Sequence, residues 1–256
     1  MGGITLLKTG PIGEIKLTRP EVLNAMGRDW PVEMQAAITE VGHDPEIRVV
    51  LITGEGRSFC SGVDLTQLVS GDIQPRWFHD NEPVYKAIET LDKPVIAGIQ
   101  GYCLGGGLQI AIACDVRIAT DDAILGLPAA KEAFIPGMST WRLVRLIGMG
   151  HARHLILSGL KISPQEAYRI GLVNLVVPRE SLDRELEAMA TCYLGVPEIS
   201  FKWSKRLTNQ AFDLNFEQAL DEFDKAIEIV LASDEHRAAL EAWRERISRA
   251  PEKKGA

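Results

Sequence analysis

The run Gly101-Tyr102-Cys103-Leu104-Gly105-Gly106-Gly107 constrains this chain more than any other stretch of it. It stands directly after the apolar segment Pro94–Ile99 and directly before Leu108-Gln109-Ile110-Ala111-Ile112-Ala113, so three consecutive glycines occupy a strand-to-helix turn. Glycine loses more backbone freedom on folding than any other residue, and such a run marks a place that needs close backbone approach or unusual dihedral angles. Free amides at a helix start, reinforced by the macrodipole, favour negative charge. The run could therefore hold a phosphate, form half of an oxyanion hole, or simply let helices pack closely. It is neither a P-loop, since no Lys-Ser or Lys-Thr follows, nor a GxGxxG dinucleotide fingerprint.

A second segment has the same grammar. Val49-Val50-Leu51-Ile52 is apolar without alternation, as a parallel strand covered on both faces would be. After Gly54-Glu55-Gly56 comes Arg57-Ser58-Phe59-Cys60-Ser61-Gly62-Val63-Asp64-Leu65, with Asp64 placed to cap a helix running toward Leu68. Two such turns leaving neighbouring parallel strands would bring two sets of free amides to one sheet edge, where α/β proteins bind ligands.

Ile4–Thr9 and Gly13–Thr18 read as a hairpin around Gly10-Pro11. A helix is expected from the cap Asp29 to Val41, ended by Gly42. Further along, a helix over Glu82–Thr90 capped by Asp80, a helix over Gly106–Ala113 and a strand over Val116–Ala119 continue a βαβ alternation that stops near Ala130. The rest reads as helices: 139–147, 150–158, 164–170, 181–193, 216–231 and 234–247, the third of them opened by Ser163-Pro164-Gln165-Glu166. The expected class is α/β with a helical C-terminal region.

Composition limits the partners. The chain has 256 residues, 46% hydrophobic and 25% charged, which suits a soluble globular protein. α/β chains of ~250 residues are often single domains. A net charge of −7 argues against nucleic acid and acidic membrane surfaces and for a small molecule. No apolar run approaches the ~20 residues of a spanning helix. The start lacks a secretory pattern and the end, Lys253-Lys254-Gly255-Ala256, matches no lipidation signal, so a cytoplasmic location is expected. Cys60, Cys103, Cys114 and Cys192 lack CxxC spacing and read as reduced thiols in apolar surroundings, with no metal site.

These turns resemble those of the crotonase, or enoyl-CoA hydratase/isomerase, superfamily. The matching segments follow in order over nearly the whole chain. They are Arg19-Pro20-Glu21-Val22-Leu23-Asn24-Ala25-Met26, Phe59 to Leu65, Gly101 to Gly107, Ala111 to Ala119, Ile135-Pro136-Gly137, and Gly159 through Gly171-Leu172-Val173 to Val177. The resemblance implies a ββα spiral core over residues 1–195 and a C-terminal helical region over 196–256 that packs copies into a homotrimer or homohexamer. It implies a role in acyl-CoA and fatty-acid metabolism, with coenzyme A present only as part of the substrate and no other cofactor. The backbone N–H groups of Val63 and Gly106 would hydrogen-bond the thioester oxygen and stabilise an enolate. Leu23, Ala25, Ser61, Gly62, Asp64, Leu65, Gly105, Pro128 and Trp141 would line the acyl-CoA site, Trp141 walling it, and Lys202, Lys205 and Arg206 resemble in placement the residues that meet CoA phosphates.

The sequence departs from the family at its two usual glutamates, which are replaced by Gln109 and Ala129. Neither is an acid or base in the accessible pH range, which removes the ordinary two-carboxylate hydration mechanism. The nearest replacement is Glu132, which on a helix lies one turn beyond Ala129, about 5 to 6 Å away between Cβ atoms. As a proton shuttle it would favour double-bond isomerisation or another enolate reaction over plain hydration. A solvated charge beside Lys131 explains Glu132 as well. His79 is a second titratable candidate, while Tyr85 and Tyr102 are candidates for packing alone. The rival reading is a non-catalytic acyl-CoA-binding protein, favoured by Gln109 and Ala129. A dinucleotide-binding oxidoreductase is more distant, because the fingerprint is missing.

Overall fold

Strands β1 (Ile4–Thr9) and β2 (Ile12–Leu17) form the expected antiparallel hairpin, with Ile4 opposite Leu17. The structure is a computed structural model that describes residues 2–249; the lysines near the C-terminus, Lys253 and Lys254, lie outside the described residues. After α1 (Trp30–His43), β3 (Val49–Gly54) pairs parallel with β2. Helices α2 (Leu65–Ser70) and α3 (Pro75–Thr90) lead to β4 (Val95–Ile99), parallel to β3. Next come β5 (Tyr102–Leu104), α4 (Gly106–Ala113), β6 (Val116–Thr120) and β7 (Ile124–Gly126). Then follow α5 (Ser139–Ser158), β8 (Lys161–Ile162), α6 (Pro164–Arg169), β9 (Leu175–Val177) and α7 (Leu182–Leu194).

The strands make two sheets, one ordered β1-β2-β3-β4-β6-β9 and a smaller one ordered β5-β7-β8. The path is a spiral: β3, β4 and β6 of the large sheet are each followed by a short segment in the second layer. The segment after β3 joins that layer through the bridge Cys60↔Cys103, and the bridge Met26↔Val63 adds the loop after β2. Every residue of β4 is buried, because both faces of the sheet are covered. One face meets the main core, which includes Met34, Ile38, Tyr85, Ile88, Leu108 and Leu143. The other meets Leu182, Leu186 and Ala190 of α7. The chain divides into two compact units, Met1–Gly195 and Val196–Ala256. In the second unit, α8 (Glu198–Asn209), α9 (Phe216–Leu231) and α10 (Asp234–Arg249) are tied in part by the Glu198 N–H, which donates to Glu235 Oε1 at 3.0 Å.

Local expectations for three helices are corrected. Helix α1 runs through Gly42 and stops at Asp44 (ψ 111°), because the following Pro45 disfavours helical geometry in the residue before it. Asp29 makes no side-chain cap to α1. Helix α3 begins seven residues earlier than the sequence suggests, so Asp80 lies inside the helix and caps nothing. Its internal Pro83 is exposed, so the carbonyl left without an amide partner can reach water. Helices 139–147 and 150–158 run on as α5, broken only at Gly148 (φ 76°, ψ 160°).

Candidate active site

Strands β3 and β4 are neighbours, so the two glycine-bearing turns leave the sheet side by side. At the first turn, the Met26 N–H donates to Gly62 O at 2.8 Å and the Asp64 N–H donates to Met26 O at 3.0 Å. A parallel bridge made this way uses the peptide groups on either side of Val63, and the Val63 N–H points to the opposite side. At the second turn, the first intrahelical bond of α4 runs from the Gln109 N–H to Gly105 O at 3.1 Å. The Gly106 N–H precedes it and is one of the orphan donors every helix start leaves. Neither the Val63 nor the Gly106 N–H donates to a described residue.

The turns are in van der Waals contact. A Cβ built on Gly62 would stand 3.5 Å from Gly106 N and 3.0 Å from Leu104 O, and the φ of Gly62 is +101°, which only glycine adopts without strain. A Cβ on Gly107 would stand 2.4 Å from Cys60 O. The glycines are thus required by the approach of one turn to the other. Two groups beside the turns stay protonated: burial pushes the Cys60 thiol up to about 12 and the Tyr85 phenol well above its ordinary value. Tyr85 Oη lies 3.5 Å from the Cβ position of Gly106 and, among the described residues, donates only to Met26 Sδ, at 3.9 Å.

The loop from Arg19 to Met26 is fastened to these turns. Leu23 and Asn24 both have positive φ, and the Ser61 N–H donates to Leu23 O at 3.0 Å. Ala25, Gly62 and Asp64 are buried, Leu65 is exposed, and Gly105 caps α4 with φ 52°. Asp64 is fully engaged in structure: Oδ1 accepts from the Thr66 and Gln67 N–H groups, capping α2, and Oδ2 accepts from Arg19 Nη2 at 2.8 Å. Its carboxylate holds the loop to the turn.

Gln109 is buried one turn beyond Gly106 on α4. Pro128, Ala129 and Glu132 share a single 3-10 segment, Pro128–Glu132, rather than an α-helix. Three residues per turn place Glu132 above Ala129 at a rise of about 6 Å. Its side chain is exposed and pairs with no described residue. His79 is exposed and 3.5 Å from Asp80 Oδ1. The Trp141 ring lies under the Arg145 guanidinium at 3.5 Å, in a surface depression lined also by Val144, Met149 and Leu157. Tyr102 packs near Lys161 Nζ, 5.6 Å from its ring. Lys202, Lys205 and Arg206 belong to α8 of the second unit, where Arg206 stacks over Trp203 at 5.2 Å.

Residues without a sequence signal complete the site. Arg142 on α5 is buried and donates to Glu82 Oε2 at 2.6 Å and to Glu89 Oε1, both on α3. Glu82 Oε1 also accepts from the Met138 N–H at 3.0 Å. A Cβ on Gly137 would stand 2.8 Å from Glu82 Oε1 and 3.2 Å from Gln109 Nε2. Glu82 and Gln109 therefore flank one corner beyond the two amides.

Residues 8–252 match the family model described as Enoyl-CoA hydratase/isomerase. The chain is 34% identical over 250 residues to the short-chain-enoyl-CoA hydratase of Clostridium acetobutylicum, covering 96% of each chain. It is 33% identical to the crotonyl-CoA hydratase of Syntrophomonas wolfei, covering 95% of each. The crystal structure of an enoyl-CoA hydratase from Bacillus anthracis superposes with a TM-score of 0.90 at 32% identity, over 96% of this chain and 97% of that one. The chain belongs to the enoyl-CoA hydratase/isomerase family, and it has the mixed α/β crotonase fold and the enzymatic character of that family.

Proposed function

We propose that this enzyme binds an acyl-CoA thioester with its carbonyl oxygen between the N–H groups of Val63 and Gly106, and that it moves a double bond through a thioester enolate. The observation that carries the reading is the pair of adjacent turns whose two amides donate to no described residue. Fixed dipoles in a water-poor setting stabilise the charge that moves onto the oxygen when a proton leaves the α carbon. Glu132 is the proton carrier: its carboxylate takes a proton from C2 of a 3-enoyl thioester and returns it to C4, while the double bond moves to C2–C3. Gln109 and Ala129 at the usual glutamate positions support isomerisation over hydration, since neither can activate water.

In this reading Leu23, Ala25, Ser61, Gly62, Leu65, Gly105 and Pro128 line the acyl-CoA path, and coenzyme A enters only with the substrate. The second unit joins copies into a trimer or a pair of trimers. Phe216, Leu220, Phe223 and Leu231 are exposed at helical spacing along α9, which supports self-association.

The test follows products from 2-enoyl-CoA and 3-enoyl-CoA with the wild type, Glu132→Gln and Val63→Pro. The proline removes one N–H that bonds no described residue, and the expected loss in kcat is about a hundredfold to a thousandfold. Full activity of Glu132→Gln would remove that residue from the mechanism. Full activity of Val63→Pro with intact circular dichroism would remove the oxyanion hole.

A further inference from the structure

Met26 is fully buried, and the chain on either side of it is fixed from elsewhere in the fold. Before it, the Ala25 carbonyl accepts from Arg19 Nη1 at 2.7 Å, and the buried Asn24 donates to Glu55 O and Ser58 O at 2.9 and 2.8 Å. After it, the Gly27 carbonyl accepts from Trp77 Nε1 at 3.1 Å. The Met26 side chain therefore starts from a backbone held on both sides.

From there the residue reaches both proposed thioester donors. Its N–H donates to Gly62 O at 2.8 Å, and its carbonyl accepts from the Asp64 N–H at 3.0 Å. Gly62 O belongs to the same peptide group as the Val63 N–H, and in a trans peptide the two point in opposite directions. By holding that oxygen, Met26 turns the Val63 N–H away from itself and toward the open side of the turn. Its side chain goes to the other donor. A Cβ built on Gly106 would overlap Met26 Sδ and stand 3.3 Å from Cε, so the thioether lies against the glycine's own Cα. Gly106 N stands 3.5 Å from the Cβ position of Gly62, the residue whose carbonyl Met26 holds. The Tyr85 hydroxyl closes the packing. It is 3.5 Å from the same Cβ position of Gly106, burial keeps it protonated, and it donates to Met26 Sδ at 3.9 Å.

The residue type fits this place. An unbranched thioether fills an irregular gap beside a glycine and accepts weakly from a hydroxyl. Leucine would nearly fill the same space, while valine would keep the backbone bridge and stop short of Gly106. Two donors on different turns serve one oxygen only if their separation is held to a fraction of an ångström.

We propose that Met26 is the positioning residue of the oxyanion site: its backbone aims the Val63 N–H, its thioether seats Gly106, and one residue thereby sets the gap between the two donors. This rests on the reading of Val63 and Gly106 as the thioester-binding pair.

The experiment binds butyryl-CoA, isotope-labelled at its carbonyl carbon and lacking a double bond to move, to the full chain as wild type, Met26→Leu and Met26→Val. The infrared stretch of the bound carbonyl is read in each. In wild type it should move to lower wavenumber than in solution, because two N–H groups polarise the carbonyl. Met26→Val should lose about half of that displacement and slow kcat on 3-enoyl-CoA about tenfold to a hundredfold, while the Kd of butyryl-CoA stays within about threefold. Met26→Leu should restore most of the displacement and most of kcat. A residue that only fills the core would lower the melting temperature of the variants and leave the bound carbonyl as it is in wild type. A full displacement in folded Met26→Val overturns the role of Met26 and leaves the thioester-binding pair standing, and so does a Met26→Leu no better than Met26→Val. Failure of both variants to fold would mark a residue the whole core needs and also overturn the proposal. If wild type binds butyryl-CoA without displacing the stretch, or does not bind it, the thioester-binding pair falls and the role of Met26 falls with it.

Discussion

Arg19 and Asp64, 45 residues apart in sequence, are joined at 2.8 Å by a bond from guanidinium Nη2 to carboxylate Oδ2. Arg19 Nη1 also donates to Ala25 O at 2.7 Å. One side chain thus couples the first loop to the turn that carries Val63, and the same carboxylate caps α2. Asp64→Ala removes the cap and strands a largely buried guanidinium at once. The expected loss is about 2–4 kcal/mol of stability, read by urea unfolding. Arg19→Lys should restore only part of the coupling, because an ammonium cannot serve Asp64 and Ala25 O with the same planar fork. Wild-type stability in Asp64→Ala would show that the turns hold together without the pair.

The closeness of the two turns predicts a second result. A methyl group on Gly107 would stand 2.4 Å from Cys60 O and 2.8 Å from Cys60 Cβ, and the backbone contact cannot rotate away. Gly107→Ala should therefore cost about 1–3 kcal/mol or more and separate the turns. Enoyl-CoA turnover should fall further than the population of folded protein does, as measured by comparing activity with circular dichroism at one temperature. Full activity in a folded variant would mean the turns need no such approach.

The large sheet was legible because its strands carry long apolar runs: Val49-Val50-Leu51-Ile52 and Val95–Ile99 are too continuous for an exposed strand. The same holds for α4, placed between its glycines and Cys114. The second sheet was not legible, since β5, β7 and β8 have only two or three residues each and no period can be read over so few. Pro83 hid the first half of α3, and with it the helical face on which Asn81 lies. The ion pair between Arg142 and Glu82 spans 60 residues and leaves no local pattern. At the site, the two amides followed from family resemblance and strand-turn-helix grammar.

Arg142 supports a third prediction. Its buried guanidinium sits between Glu82 and Glu89 and lies 5.5 Å from the Tyr85 ring, so three contacts fix α5 against α3. Arg142→Leu removes the ion pair of the partly buried Glu82 and one ion pair of Glu89, which keeps Lys86 at 3.6 Å, and the expected loss is about 3–5 kcal/mol. Adding Glu82→Gln should recover part of that loss by removing the carboxylate whose ion pair is gone. No recovery in a thermal melt would show that the arginine acts through packing alone.

The cysteines give the last prediction. Cys60, Cys103 and Cys114 are buried and Cys192 is exposed. Burial disfavours the thiolate and raises Cys60 from its ordinary value of 9.0 to about 12, and it raises Cys103 as well. A thiol-reactive disulfide reagent at pH 8 should then label Cys192 rapidly in the native protein and all 4 cysteines after unfolding. The same displacement makes stability depend on alkaline pH. Between pH 9 and about 12 the folded chain keeps a proton on Cys60 that the unfolded chain releases. The stabilising contribution is therefore complete below pH 9 and is lost as the pH rises toward 12. Unfolding free energy should decline across that range, and Cys60→Ala or Cys60→Ser should flatten the decline. Rapid labelling of more than one thiol in the folded enzyme would show that the turn beside Val63 opens readily, and the two amides could not then be held in fixed register.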